Sequence, residues 1–361
     1  MKIDVVRPSA LTGEDRARWR TLQARAGSDY SSPFLSPDWA IAVDQALGRF
    51  RDACQVAVMR EDDRAVGFFA ARVGRTVALP AGAPLCDYQG VVAEAGLKVD
   101  PRRIVEAFGV QRIDFTHMVE HDRAFGALGQ GRDDFYAVDV SAGWDAYEQG
   151  RREAGTDILK DIARKRRKLE REVGPLTFAA FSRSRADFER TLEWKRAQFA
   201  RTNQTDPTAT PWVKVLLEQL FESRDPEFGG ALFTLHAGDR LAAAQFNLRG
   251  GGSINAWFIS HDEALERYSP GLVMWGDLLR WMAESPYRTL DLGPVAYRFK
   301  DRLANRTRGI VHGFAGRPGA ATLVRAAEYG VRRAAEALPL GKLSELPGKA
   351  MRRLDRMRAL G

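Results

Sequence analysis

Two stretches of the chain carry the same alternation of apolar and polar positions. VAVMREDDRAVGFFAARVGRTVAL, from Val56, and LFTLHAGDRLAAAQFNLRGGGSINA, from Leu232, each read as an apolar strand and a short polar turn ending in Asp-Arg. A second apolar strand and a Gly-containing turn into a third follow in both. The match is one of pattern and not of identity, and it points to one unit duplicated, with a copy in each half. Chance resemblance of two hairpins is the alternative.

The segments before the two meanders also correspond. In the first half DRARWRTLQARAG and SPDWAIAVDQALG read as helices, the second opening with Ser36 as cap and Pro37 in the first turn. In the second half DILKDIARKRRKLEREVG is a helix stopped by Gly174-Pro175, LTFAAF a strand, and RADFERTLEWKRAQFART and PWVKVLLEQLFES helices. After the meander from Ala231 to Ile259 come a helix starting at Pro270, the strand RTLDLG and a last strand near RGIVHGF. The order predicts an α+β fold with a mixed sheet, twice.

RYSPGLVMWGDLLRWM places Ser269 where a helix cap belongs, Pro270 at the first helical position, and Gly271 where another group can approach the backbone. Leu272, Trp275, Leu278, Leu279 and Met282 share one face, with Asp277, Arg280 and Glu284 on the other. Such a helix can cross between two parallel strands, SINAWFIS and RTLDLG. Its N-terminus then emerges at the carboxyl end of the first strand, a place suited to an anion. An ordinary helix start is the plainer reading of the same residues.

Composition narrows the class. The chain has 361 residues, 45% apolar and 28% charged, as expected of a water-soluble globular protein of two domains. Cys54 and Cys86 lack metal-like spacing and form no disulfide framework. The start carries no apolar signal segment, so a cytoplasmic location is expected. The formal charge is +8, and from Ala320 to Gly361 nine Lys or Arg stand against four acidic residues. No reading helix or interleaved aromatics accompany them, so DNA is not an expected partner. The tail, two helices parted by Leu338-Pro339-Leu340-Gly341, suits packing on the body, an anionic membrane surface at the inner face, or a partner's groove.

The basic helix ARKRRKLEREVGPLTF, the RYSPGLVMWGDLLRWM loop-helix, LDLG and YRFKDRLA resemble the GNAT acyltransferase superfamily. More narrowly they resemble the FemAB-like double-domain acetyltransferases found with cellulose and exopolysaccharide synthesis genes, as do SPFLSPDWA and APLCDYQGVV in the first half. The resemblance spans roughly Ser32 to Phe314. It implies tandem GNAT-like domains: residues 1–140 completing an acceptor cleft without cofactor, 141–316 binding acyl-CoA, and a basic helical tail over 317–361. It further implies acetyl-CoA or another acyl-CoA as co-substrate, no metal, and an amine or hydroxyl of a sugar or polysaccharide precursor as acceptor. The chain departs from the family pattern where Pro294, Val295 and Ala296 alone separate Gly293 from Tyr297-Arg298, so that Lys300 would substitute for the usual lysine, and where the Gly-rich pyrophosphate loop is missing.

On this basis the diphosphate would rest on Ser269, Pro270 and Gly271, with Arg267 adding charge and Tyr268 beside them. The pantetheine arm would pair with the strand edge at Trp257, Phe258 and Ile259, and a free N–H there would polarise the thioester carbonyl. Asp291 and His261 are the candidate bases, with Tyr297 to protonate the leaving thiolate and Lys300, in the place of the family's lysine, a further catalytic candidate. Against these stand a turn-capping Asp291, a structural phenol and a surface histidine. Arg164, Arg167 and Lys168 share a helix face fit for an anionic acceptor, and Asp87 and Tyr88 are further acceptor candidates. A solvated helix face and a turn-stabilising Asp87 are the plainer readings. Rival functions are a Fem-like transfer from aminoacyl-tRNA and a catalytically idle scaffold in a polysaccharide-synthesis complex.

Overall fold

The computed structural model describes residues 1–48, 53–294, 297–338, 344 and 346–360. The chain opens with β1 (Lys2–Val6), α1 (Gly13–Arg25) and α2 (Pro37–Leu47), where Ser36 accepts the Trp39 N–H as the expected cap. The first meander is β2 (Ala53–Glu61), β3 (Arg64–Val73) and β4 (Val77–Pro80), followed by β5 (Val92–Ala93), α3 (Pro101–Ala107), β6 (Arg112–Val119) and β7 (Gly129–Asp139). Next come α4 (Trp144–Glu153), α5 (Ile158–Glu172), β8 (Leu176–Ala179), α6 (Arg185–Arg201) and α7 (Pro211–Glu222). The second meander is β9 (Phe228–Ala237), β10 (Arg240–Gly250) and β11 (Ser253–His261). Then follow α8 (Pro270–Glu284), β12 (Thr289–Gly293), α9 (Arg298–Leu303), β13 (Arg306–Gly316), α10 (Ala320–Glu336) and α11 (Leu346–Leu360).

Two compact units result. The first comprises Met1–Asp133, Ala209–Leu216 and Gly309–Gly361, the second Asp134–Thr208 and Leu217–Arg308. In the first, the strand order is β1-β2-β3-β4-β6-β13, with β5 on β3. In the second it is β7-β12-β11-β10-β9-β8. The meanders are antiparallel, and each is followed by a parallel pair: β4 with β6 at Val77↔Arg112 and Ala78↔Ile113, β11 with β12 from Ser253↔Thr289 to Asn255↔Asp291. The duplicated pattern in the sequence is thus a duplicated topology. Chain order alone put residues 309–316 with the second domain, but β13 pairs antiparallel with β6 from Ile310↔Val119 to Gly316↔Arg112. That long-range pairing leaves no periodic trace in the sequence.

Each unit has its own core. In the first, Phe69, Ile104, Phe115 and Phe125 are sealed against the sheet. In the second, Trp275, Leu278, Leu279 and Met282 of α8 pack on Phe233, Ile254 and Leu290, as the helical spacing predicted. The other flank of α8 is covered as well, because Gly276 leaves room for Ile162 of α5. Basic α5 is therefore a packed helix whose Arg166 reaches Asp277 of α8 at 3.2 Å.

The tail packs with inverted polarity. Arg325 of α10 is 1% exposed and bonds Asp355 of α11 at 2.8 Å and Glu328 at 2.7 Å, with Asp114 of β6 at 3.6 Å. Leu323, Val324 and Val331 of the same helix face solvent. The stretch Pro339–Gly341 lies outside the described residues. No helix among the described residues is long and apolar enough to cross a membrane.

Candidate active site

In the second unit the β11–β12 pair opens. Pairing stops at Asn255↔Asp291, while β11 runs on to His261 and β12 to Gly293. A bulge marks the point of divergence, since Phe246 and Leu248 of β10 oppose Phe258 and Asn255, so that Asn247 faces two residues, Ala256 and Trp257. An extra residue there bends the strand and swings it from its neighbour. Beyond the bulge Asp262 N–H bonds back to Ala242 of β10. Strand alternation then turns the N–H and C=O of Ile259 to the opposite, opened side.

The start of α8 stands at this opening. Ser269, expected to cap the helix, does not: its backbone is left-handed (φ 53°, ψ 55°) and its side chain makes no bond to the first turn. Ser269 Oγ instead accepts a bond from Lys165 Nζ of α5 at 2.9 Å. Pro270 has no N–H, and those of Leu272 and Val273 both donate to the Ser269 carbonyl, so that without a side-chain cap the Gly271 N–H is the first-turn donor left for another acceptor, with the helix dipole adding to the Lys165 charge. A Cβ built on Gly271 meets nothing within 4 Å, so the approach to its N–H is open. Arg267 stacks on Tyr268, with its guanidinium 4.7 Å from the ring, and Tyr268 is buried with its hydroxyl donating to Glu172. Tyr268 therefore ties this turn to α5 and does not face the opening.

The titratable candidates differ in setting. Asp291 is fully buried at the point of divergence, and Arg308, itself buried, lies 3.3 Å from its carboxylate. Asp291 thus meets a cation and not solvent. His261 ends β11, and burial lowers its pKa, with Arg201 acting in the same direction. It is therefore neutral at pH 7, as a base must be. Tyr297 is 52% exposed, stacked on Phe299, and buried Lys300 lies 5.3 Å from its ring centroid.

Among the acceptor candidates, Arg164 and Arg167 are exposed, Arg164 pairing with Asp161 at 2.6 Å, and Lys168 lies 5.6 Å from the Tyr268 ring centroid. In the first unit Tyr88 is 1% exposed and Asp87 half-buried. A ring so enclosed cannot meet an acceptor without rearrangement of that core.

Three residues at the opening escaped the sequence reading. Lys195 of α6 places Nζ 3.4 Å from the Ile259 carbonyl and 2.9 Å from Gln198 Oε1, and burial pulls its pKa down to about 8. Gln245 and Asn247 of β10 are fully buried, and among the described residues the Gln245 amide and the Asn247 Nδ2 have no partner. Buried amides without partners are rare. One basic residue in a helix of mixed charge and two amides in an apolar strand carry no spacing signal.

Residues 157–301 match the family described as Acetyltransferase (GNAT) domain, which takes in α5 through most of α9. No curated protein matches the sequence. A conserved protein of unknown function from Bacteroides thetaiotaomicron is similar in structure at a TM-score of 0.54 and 10% identity, over 87% of this chain and 100% of that one. The C-terminal DUF2156 domain of a protein from Agrobacterium fabrum, described as a lysylphosphatidylglycerol synthetase, gives 0.52 and 13% over 87% and 95%. A tandem GNAT protein from the clavulanic acid biosynthesis pathway gives 0.47 and 11% over 88% and 99%. The fold is α+β with one strand topology used twice, and residues 157–301 of its second half match the GNAT acetyltransferase domain family.

Proposed function

We propose that the second unit moves an acetyl or other acyl group from acyl-CoA directly to an amine or hydroxyl of a sugar or polysaccharide precursor. One observation carries the reading: β11 and β12 part after Asn255↔Asp291 beside a helix start that offers the Gly271 N–H and Lys165. The diphosphate would sit on the Gly271 N–H at the positive end of α8, with Ser269, Pro270 and Arg267 at its border. The pantetheine arm would add to β11 along Trp257 to Ile259 as an extra strand.

Lys195 and His261 flank the opened stretch of β11 and are the bases this arrangement favours. A lysine near pKa 8 holds an appreciable neutral fraction at pH 7 and can take a proton from an acceptor amine as the bond to the acyl carbon forms. Lys300 and Tyr297 would return a proton to the CoA thiolate. Arg308 would hold Asp291 charged and so fix the sheet around the opening. The lysines and arginines of α5, Arg164, Arg167 and Lys168 among them, would meet an anionic acceptor. The place of action is cytoplasmic, with the apolar outer face of α10 and the basic tail resting on an anionic membrane surface or a synthase complex.

Calorimetric titration of the purified chain with acetyl-CoA, with and without Gly271→Glu, tests the donor site. Transfer from charged tRNA with no use of acetyl-CoA would favour the aminoacyl transferase, and no turnover at all the idle scaffold.

A further inference from the structure

The first unit holds a cavity of about 560 Å³, a size typical of small-molecule sites. It lies where β4 and β6 separate. Their parallel pairing ends at Ala78↔Ile113, and the residues beyond, Leu79 and Pro80 on one strand and Asp114 and Thr116 on the other, line the space. The cavity thus repeats, within the duplicated topology, the parting seen between β11 and β12. α10 and α11 close it, through Arg325, Tyr329 and Arg332 of one and Met351, Arg352 and Asp355 of the other.

Its chemistry is two-sided. Val77, Leu79, Pro84, Met351 and Ala359 give it an apolar floor, while eight arginines stand against three aspartates in the lining. Several of these charges are spent internally: Arg112 on Asp114, Arg325 on Asp355, Arg332 on Glu336. Arg75, Arg352 and Arg356 have no acidic partner among the described residues. His117 and His312 add no charge, since burial lowers both pKa values and Arg332 helps hold His312 down at about 4. These three are exposed, and guanidinium groups of one sign gathered at the rim of a partly apolar hollow draw anions to it. Arginine suits a phosphoryl group best, because its fork donates two parallel bonds.

We infer that this cavity binds an amphipathic phosphate: a phosphomonoester or diphosphate joined to an apolar chain, the head held by Arg75, Arg352 and Arg356 and the chain lying on the Val77–Leu79 floor. The ligand is either a dissolved amphiphile or a lipid whose head is presented at a membrane. The site uses no residue of the acyl-CoA opening.

The test is calorimetry and thermal unfolding of the full chain with decyl phosphate below its micellar concentration, inorganic phosphate, and neutral decyl maltoside. Decyl phosphate is expected to bind at least tenfold more tightly than inorganic phosphate and to raise Tm, with no binding of the maltoside. Arg352→Glu with Arg356→Glu should weaken it at least tenfold while acetyl-CoA binding is unchanged. Arg75→Ser, on the β3–β4 turn, repeats the test should the double variant fail to fold. Co-sedimentation with phosphatidate vesicles assigns the head to a lipid, and binding of the dissolved amphiphile alone assigns it to a free metabolite. Equal binding of the neutral amphiphile, equal binding of inorganic phosphate, or indifference to the arginine variants would overturn the inference. Displacement of decyl phosphate by acetyl-CoA would do so too, by making the cavity a second cofactor site. Loss of acetyl-CoA binding in Gly271→Glu alone, with decyl phosphate retained, keeps the two sites apart.

Discussion

Replacing Gly271 with Glu puts one negative charge where the proposed diphosphate belongs, without disturbing the fold. A Cβ at Gly271 meets no atom within 4 Å, and the position lies in the first turn of α8, where an acidic side chain is favoured by the helix dipole. The variant should therefore be as stable as the parent, or slightly more so. At a separation of about 5 Å and an effective dielectric constant of about 40, each negative charge of the diphosphate is repelled by about 1.7 kcal/mol, or about 3 kcal/mol for two. That corresponds to a loss of about two orders of magnitude in acetyl-CoA affinity. Gly271→Ala, which adds volume but no charge, should stay within about twofold of the parent, since about 1.4 kcal/mol would be needed for tenfold. Calorimetric titration at low salt reads both, and raising the ionic strength should narrow the gap. Equal affinity in the parent and Gly271→Glu, with both folded, would remove the donor from this helix start.

Lys195→Met should lower kcat by about 10²- to 10⁴-fold while leaving the Kd of acetyl-CoA nearly unchanged. In the parent, kcat/KM should climb with pH through about 8, because the base works only when Lys195 has lost its proton; a flat profile over that range excludes it. Arg308→Met should cost about 3–5 kcal/mol of stability, measured by urea unfolding, because it strands the Asp291 carboxylate in the core; Asp291→Asn in the same chain should recover much of that loss. His312 is held neutral in the folded protein, with its pKa down from 6.5 to about 4, so the unfolded chain takes up the proton first as the pH falls. Its share of stability is full above pH 6.5 and is lost between 6.5 and about 4, up to about 3 kcal/mol. His312→Gln should flatten the Tm-versus-pH curve in that interval, and an unchanged slope would refute the assignment.

The meanders were readable because period-two alternation and Asp-Arg turns are local signals. Asp62 and Asp63 do take positive φ in the first of those turns. The apolar face of α8 was readable for the same reason at helical period. Ser269 shows the limit: its type and place fit a cap, yet Lys165, over a hundred positions earlier, claims the hydroxyl, and the residue turns left-handed. The candidate site was found through the helix start and the following strand, whereas Lys195 was missed, because its lowered pKa comes from burial that only the packed α6–β11 contact creates. The arginine cavity was invisible for a related reason. It gathers the β3–β4 turn, β6 and the last two helices, and nothing in the tail's run of charges marks Arg325 as the one that is buried.

The return of β13 to β6 bears on biosynthesis. While a ribosome is still producing residues 134 to 308, the early sheet ends at β6 with its backbone donors and acceptors bare, and such an edge invites pairing with other chains. The amino-terminal unit can therefore close only after residues 309–361 have left the exit tunnel. Severing the gene upstream of Gly309 would yield an aggregating fragment, whereas supplying the missing strand as a separate peptide during refolding should rescue it.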